Sequence, residues 1–121
     1  MARVLIIEDR PAIAMILQEA LADEGYDTAT APNGNAGLER LLEKPAPDIA
    51  LVDLFMPGVD GRTVIETLRS DPRYPAIPAV IITGAEPTPE AFPPEGTYQA
   101  VIRKPFDLDV VLSTVKRLLQ A

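Results

Sequence analysis

A chain of 121 residues with 47% apolar residues has the length and composition of one globular domain with a full core, spanning residues 1–121. Cysteine and histidine are both absent, which excludes disulfides, thiol catalysis, Ser/His triads and most zinc sites. The formal charge of −7 opposes direct binding to nucleic acid. The sequence shows neither a membrane-length apolar run nor a signal peptide, so we expect a cytoplasmic protein without membrane contacts.

Predicted strands and helices alternate along the chain. Apolar runs predict five strands, at residues 3–7, 26–31, 49–52, 79–83 and 99–103. Apolar residues at helical spacing predict four helices: one from Pro11 to before Gly25, one capped by Asn33 and ended by Pro45 and Pro47, one at residues 61–70, and one capped by Asp107. This order predicts a doubly wound α/β fold, in which helices cover both faces of a parallel sheet.

The segment of residues 84–96 breaks this alternation, because it holds four of the 13 prolines of the chain. Proline removes a backbone donor and fixes φ, so we expect a loop here, or at most one turn near residues 89–92. We interpret the start of the segment as a possible switch loop that exchanges between a few discrete poses. Its candidate residues are Gly84, Ala85, Pro87 and Pro89.

Polar side chains follow four of the predicted strands. Glu8 and Asp9 follow the first strand, Asp53 ends the third, Thr83 ends the fourth and Lys104 follows the fifth. Each alone has a commoner structural explanation, such as a helix cap, a turn residue, a strand-end hydroxyl or a solvated lysine. The carboxyl ends of parallel strands lie at one edge of the sheet, where ligands bind in doubly wound folds, so we expect the five side chains to converge.

Three carboxylates brought together raise one another's pKa, and a bound cation relieves the repulsion. Mg²⁺ prefers one or two carboxylates together with phosphate oxygens, and a lysine ammonium suits a phosphoryl oxygen as a point charge. Since the chain has no histidine or cysteine, the nucleophile at such a site must be a carboxylate. We interpret Asp53 as the acid that takes a phosphoryl group.

The chain resembles the receiver domain of two-component response regulators, the CheY-like superfamily. The resemblance rests on VLIIEDRP (4–11), DIALVDLFMPGVDG (48–61), AVIITGA (79–85) and IRKPF (102–106). It implies a flavodoxin-like sheet of five parallel strands in the order 2-1-3-4-5 with five helices. In this chain we expect the fourth helix to be short or replaced by the proline-rich loop.

The resemblance also implies roles for individual residues. They are Asp53 as phosphoacceptor; Glu8, Asp9, Asp53 and the backbone carbonyl of Phe55 as ligands of Mg²⁺ or Mn²⁺; Thr83 as switch hydroxyl; Lys104 as partner of the phosphoryl group; and Pro105 as a cis-peptide candidate. The implied partners are a sensor histidine kinase or histidine phosphotransfer protein in a phosphorelay, and a downstream protein or attached output domain. Such a protein catalyses only its own phosphoryl transfer and slow autodephosphorylation.

Two positions depart from the family pattern. Val101 stands where an aromatic residue is usual, three positions before the lysine, which puts the usual aromatic rotation in doubt. Arg10 stands where a third acidic residue is common. These departures leave open a degenerate receiver that acts as a phosphorylation-independent interaction module.

Two further classes fit less well. A magnesium-dependent phosphatase with an aspartate nucleophile usually has a second acid two positions on, where this chain has Phe55. A nucleotide-binding scaffold lacks its glycine-rich loop, because EDRPA follows the first strand.

Overall fold

The computed structural model describes residues 1–84, 88 and 90–120 and shows one five-stranded parallel sheet in the order β2-β1-β3-β4-β5. The predicted fold class and strand order are therefore confirmed. The strands are β1 Arg3–Ile7, β2 Asp27–Ala31, β3 Ile49–Asp53, β4 Ala79–Thr83 and β5 Ala100–Arg103. The helices are α1 Pro11–Asp23, α2 Gly34–Leu41, α3 Gly61–Ser70 and α4 Leu108–Gln120. No helix in the described residues is long and apolar enough to cross a membrane.

The sheet register aligns the carboxyl ends of the strands. Ile7 at the end of β1 pairs with Val52 of β3, Asp53 pairs with Ile82 of β4, and Thr83 pairs with Arg103 of β5. The residues that follow these pairs therefore emerge at one edge of the sheet. This alignment places the side chains predicted to carry the chemistry next to one another.

The core lies in two layers, one on each face of the sheet. Alternate residues of the strands point to opposite faces, so Val52 and Ile81 pack with α2 and α3, while Leu51 and Ile82 pack with α1 and α4. The residues of β1, β3 and β4 are buried, apart from the partly exposed Arg3. Burial on both faces explains why these strands are nearly continuous apolar runs in the sequence.

The helix ends follow the predicted signals. The Oδ1 of Asn33 accepts a hydrogen bond from the Ala36 N–H at 2.8 Å, and the Oδ1 of Asp107 accepts one from the Asp109 N–H at 2.9 Å. Gly25, just after α1, has a φ of +91°, which glycine adopts without strain. One helix end differs from the prediction: the helix expected to run up to Pro45 ends at Leu41, so Leu42 lies beyond α2 and is 40% exposed.

The connection between β4 and β5 has no helix in its described residues, so the described chain has four helices where the resemblance implied five. One turn is present, since the N–H groups of Ala91 and Phe92 both donate to the Thr88 carbonyl. Of the predicted switch-loop positions, only Gly84 is described; Ala85, Pro87 and Pro89 lie outside the described residues. The Lys104–Pro105 peptide bond is cis, as is the Lys44–Pro45 bond, which was not predicted.

Candidate functional site

Three carboxyl groups meet at the carboxyl edge of the two central strands. One oxygen from each of Glu8, Asp9 and Asp53 lies within 4.8 Å of the others. Glu8 is 3% exposed and Asp53 is 5% exposed, whereas Asp9 is intermediate. The cluster forms because β1 and β3 are neighbours in register, although 44 positions separate Asp9 from Asp53.

Glu8 is fixed by bonds to both of its carboxylate oxygens. Its Oε2 accepts a hydrogen bond from the Arg10 N–H at 3.1 Å, and its Oε1 accepts one from Lys104 Nζ at 2.7 Å. The Glu8 N–H donates to the Ala31 carbonyl at the end of β2. These bonds compensate for the burial of the Glu8 charge. They give Glu8 a defined orientation within the cluster.

Lys104 connects the acids across the sheet edge. Its Nζ lies 2.7 Å from Glu8 Oε1 and 3.5 Å from Asp53 Oδ2, and its side chain is 17% exposed. Its backbone N–H donates to the Thr83 carbonyl at 2.8 Å, which continues the pairing of β4 with β5. The ammonium is thus held within reach of two carboxylates by a strand end. A phosphoryl group on Asp53 would lie within reach of the same ammonium.

The surroundings of Asp53 raise its pKa to about 7, first because burial disfavours the charged form and second because of the negative Glu8 beside it. The positive charge of Lys104 acts in the opposite direction and keeps the pKa from rising further. The Phe55 N–H donates to Asp53 Oδ1 at 3.3 Å. Without an added cation, Asp53 therefore changes its charge near neutral pH.

Thr83 and Phe55 border the acids from different sides. Thr83 is fully buried at the carboxyl end of β4, one residue after the partner of Asp53 in the register. The Phe55 side chain is 48% exposed, two positions after Asp53. The structure therefore places both predicted residues at this sheet edge, next to the acid cluster.

A cleft of about 810 Å³ opens over the acids, and one wall of it is apolar. Asp9, Asp53 and Lys104 line its polar side. The sequence did not predict the apolar wall, formed by Ile13, Ile16, Phe55, Phe106 and Leu108. The sequence held no signal for this wall, because Ile16 shares the helical spacing of the buried positions of α1 and its 48% exposure follows from the placement of the helix. The cleft therefore has charged residues on one side and an apolar wall on the other.

The donor set fits a hard divalent cation. The three clustered side chains offer only carboxylate oxygens, which Mg²⁺ and Mn²⁺ prefer, and the sequence contains no cysteine or histidine. Two of the acids are nearly inaccessible to solvent, and Lys104 is the cation seen bonded to them among the described residues. The residues present therefore suit a magnesium ion in chemistry and spacing.

The start of α3 lies directly against the backbone of the central acid. A Cβ atom on Gly61 would lie 2.4 Å from the Asp53 carbonyl oxygen and 2.7 Å from the Leu54 Cα, distances that real Cβ atoms do not show. The Gly61 N–H donates to the Leu54 carbonyl at 3.0 Å. Only glycine fits here without displacing the backbone, so the position of α3 is coupled to that of Asp53.

Comparison with known proteins agrees with this geometry. Residues 4–116 match the family model of the response regulator receiver domain. The DNA-binding dual master transcriptional regulator RpaA of Synechocystis is 35% identical over 121 residues, which are 99% of this chain and 50% of RpaA. Protein PilH of Pseudomonas aeruginosa is 31% identical over 120 residues, which are 98% of each chain. The chain therefore spans half the length of RpaA and nearly all of PilH.

Solved structures show the same likeness. The response regulator TrrA of Thermotoga maritima, solved in complex with Mg²⁺ and BeF, has a TM-score of 0.84 and 27% identity, covering 98% of this chain and 99% of TrrA. The family match covers nearly the whole described chain and includes every residue of the acid cluster. The chain belongs to the family of receiver domains of two-component response regulators.

Proposed function

We propose that residues 1–121 form a phosphorylation-dependent signalling receiver with Asp53 as its phosphoacceptor. The phosphoryl donor is a phosphohistidine of a sensor histidine kinase or a histidine phosphotransfer protein. The convergence of Glu8, Asp9 and Asp53 within 4.8 Å, with Lys104 Nζ at 3.5 Å from Asp53, carries this proposal. A degenerate receiver has no need to keep all of these groups together at one strand edge.

In the proposed reaction, a carboxylate oxygen of Asp53 attacks the phosphorus in line. The P–N bond to the donor imidazole breaks, and Asp53 becomes an acyl phosphate. Glu8, Asp9, Asp53 and the Phe55 carbonyl would hold Mg²⁺ or Mn²⁺, and the bound ion would supply positive charge that neutralises the transferring group. With a pKa of about 7, Asp53 is partly protonated at neutral pH. A nearby positive charge lowers this pKa and so favours the ionised, nucleophilic form.

After transfer, Asp53 carries up to about two negative charges in place of one. In the unphosphorylated structure, the Lys104 ammonium lies 2.7 Å from Glu8 and 3.5 Å from Asp53. After transfer it shifts toward the phosphoryl oxygens. The Thr83 hydroxyl is the second group placed to bind them. A gain of a few kcal/mol from such charge-assisted bonds shifts a two-state equilibrium about tenfold to a hundredfold.

We propose that the phosphorylated form persists because the groups beside the acceptor do not orient an attacking water. Phe55, at the mouth of the cleft, has no hydrogen-bonding side chain. Ala85, which comes two residues after the end of β4 in the sequence, also has no hydrogen-bonding side chain and lies outside the described residues. A half-life of seconds, measured by loss of phosphoprotein after removal of the donor, would contradict this expectation. A slow decay would support it.

The readout of the switch is proposed to be a downstream protein or an output domain. The name of one relative states an output, since RpaA is described as a DNA-binding transcriptional regulator, whereas the name of PilH states none. The charge of −7 opposes direct contact between this domain and nucleic acid. The domain thus acts through protein contacts.

The test is phosphorylation by a small-molecule donor, acetyl phosphate, followed by intact mass spectrometry. We expect the wild type to gain one phosphoryl mass in the presence of Mg²⁺ and to lose this gain when Mg²⁺ is chelated. Asp53→Asn removes the nucleophile and should abolish the gain. Asp23→Asn is the matched control, because Asp23 is exposed at the end of α1, away from the acid cluster.

The outcomes separate the candidate functions. A phosphoryl gain in the wild type and in Asp23→Asn, but not in Asp53→Asn, supports a phosphoacceptor receiver. No gain in a folded wild type with Mg²⁺ would support the phosphorylation-independent interaction module. A gain that survives Asp53→Asn would place the acceptor elsewhere and overturn the assignment of Asp53.

A further inference from the structure

The described part of the β4–β5 connection is fastened to α3 by two arginines on one helical face. Arg62 and Arg69 are seven residues apart, nearly two turns, so their side chains leave α3 on the same side about 10 Å apart. Arg62 Nη1 donates to the Glu90 carbonyl. Arg69 Nε donates to the Thr97 carbonyl at 2.9 Å. The two arginines therefore hold residues 90–97, here called the strap, near both of its ends.

Further contacts reinforce both attachments. Arg62 is oriented by Glu66, one turn further along α3, with 3.4 Å between Arg62 Nε and Glu66 Oε1. Arg69 Nη2 donates to Gln99 Oε1 at 3.1 Å, and the same oxygen accepts the Ala79 N–H at 2.8 Å. Arg69 thus connects the end of α3 to the end of the strap and the start of β4.

Apolar packing fills the space between the two attachments. The rings of Phe92 and Tyr98 meet edge to face with centroids 5.9 Å apart, and both pack against the core layer that contains Val64, Ile65 and Leu68 of α3. A helix usually covers a sheet face in this fold class. Here the strap, with its Phe92 and the Tyr98 that follows it, lies over part of the layer that α3 also covers.

The same helix begins at the phosphoacceptor. Gly61, the first residue of α3, leaves no room for a Cβ atom beside the Asp53 carbonyl and the Leu54 backbone. A shift of the β3 end on phosphorylation must therefore displace the start of α3. The next residue, Arg62, already holds the strap. Backbone contact and hydrogen bonds form one continuous chain from Asp53 through α3 to residues 90–97.

We propose that α3 transmits the state of Asp53 to the strap through Arg62 and Arg69, which act as positioning residues. This coupling rests on the proposed function, because it needs a phosphoryl group at Asp53. It gives the chain a route that does not use an aromatic residue at position 101, where Val101 has no ring to rotate. In this proposal the strap is the surface that moves, and the displacement of α3 moves it.

Hydrogen–deuterium exchange of the full chain, with and without Mg²⁺ and beryllofluoride, tests the coupling. Four hydrogen-bonded amides report on the strap and the residues after it: Ala91, Phe92, Thr97 and Gln99. The test variant is Arg62→Met with Arg69→Met, which keeps the apolar stems and removes the donors. Arg73→Met is the control, because Arg73 lies just beyond α3 and pairs with Asp71 at 2.7 Å.

Without beryllofluoride, we expect the double variant to exchange these amides about fivefold to tenfold faster than the wild type, because charge-assisted bonds are lost. Arg73→Met should match the wild type. With beryllofluoride, peptides covering residues 54–63 should change in all three proteins. The strap should change in the wild type and in Arg73→Met, but not in the double variant.

Four results would overturn the inference. Unchanged strap exchange in the double variant without beryllofluoride would show that the arginines do not hold the strap. A strap response to beryllofluoride as large in the double variant as in the wild type would show a route that bypasses α3. A wild-type response at residues 54–63 with a silent strap would refute the coupling alone, whereas no wild-type response at residues 54–63 would refute the proposed function as well.

Discussion

The two sides of the carboxyl edge are built differently. On the side of β1 and β3, the acids extend from strands whose residues are almost all buried, and Gly61 packs against the Asp53 backbone with no space for a methyl group. On the side of β4 and β5, the connection has no helix in its described residues and is held by arginine side chains on backbone carbonyls. Backbone packing holds the acids in place, whereas side-chain hydrogen bonds hold residues 90–97 in place.

This difference separates what must be rigid from what can vary. Phosphoryl transfer depends on placing an acid, a cation and an ammonium within fractions of an ångström, which buried strands provide. A surface segment held by a few hydrogen bonds opens at a lower free-energy cost than a core strand. In this chain, the β4–β5 connection can therefore change its position at a lower free-energy cost than the strands that carry the acids.

The largest effect is expected from the core beneath Asp53. Leu51→Ala in β3 should lower the free energy of unfolding by about 3 kcal/mol, because Leu51 is 1% exposed and its loss leaves a cavity. Phe92→Ala in the strap should cost about 1–2 kcal/mol, because its ring is only half-buried. Urea denaturation measures both. Equal costs would mean that the strap belongs to the core as fully as β3 does.

Glycine substitutions compare the two sides more sharply. Gly61→Ala should lower the free energy of unfolding by about 1–3 kcal/mol, because the added Cβ meets backbone atoms at 2.4 Å and 2.7 Å. Gly84→Ala is the matched change beside β4, where, among the described residues, the nearest atom to the added Cβ would be in the Lys104 side chain at 3.6 Å. We expect its cost to be within about 0.5 kcal/mol. Thermal denaturation of both variants decides whether only the β3 side is sterically closed.

The pH dependence of stability tests the electrostatics of the acid cluster. Without Mg²⁺, Asp53 has a pKa of about 7 in the folded chain and an ordinary, lower pKa when unfolded. The raised pKa of Asp53 therefore adds to the free energy of unfolding at a pH below the unfolded pKa. This contribution decreases as the pH rises and is lost once the pH passes about 7. We expect urea midpoints to fall from pH 5 to pH 8. Asp53→Asn should flatten this slope, and an equally steep slope in that variant would assign it to other groups.

The smallest effect is expected at the position where the family has an aromatic residue. Val101→Tyr should change the free energy of unfolding by no more than about 0.5 kcal/mol, because Val101 lies on the edge strand β5 and is 38% exposed. The affinity of the Val101→Tyr variant for beryllofluoride should match that of the wild type. A clear gain in affinity would show that signalling through this chain is limited by the missing ring, and that α3 is not the main route.

The sequence predicted the acid side well for a physical reason. A four-residue apolar run such as residues 49–52 has the length of a buried strand and is too short for a buried helix, so the acid after it is predicted to lie at a strand end. Parallel topology then brings Asp9 and Asp53 together without any need to know side-chain conformations. The caps at Asn33 and Asp107 follow from local chemistry of the same kind.

The contacts of the strap were not predictable in this way. Arg62 and Arg69 donate to backbone carbonyls, and a carbonyl leaves no trace in the amino-acid sequence. The hydrogen bond from Lys104 to Glu8 joins residues 96 positions apart. The sequence does not determine whether the ammonium lies closer to Glu8 or to Asp53. The exposure of Ile16 and Leu42 likewise depends on helix placement, which apolar spacing alone does not determine.

Lys104 gives the acid cluster a counter-ion that belongs to the chain itself. Its ammonium lies between Glu8 and Asp53, so folding brings a positive charge to the carboxylates at the moment they are gathered. The carboxylates therefore have a positive charge beside them before any divalent cation binds. A cation entering this site would meet carboxylates that already share an ammonium of the same chain.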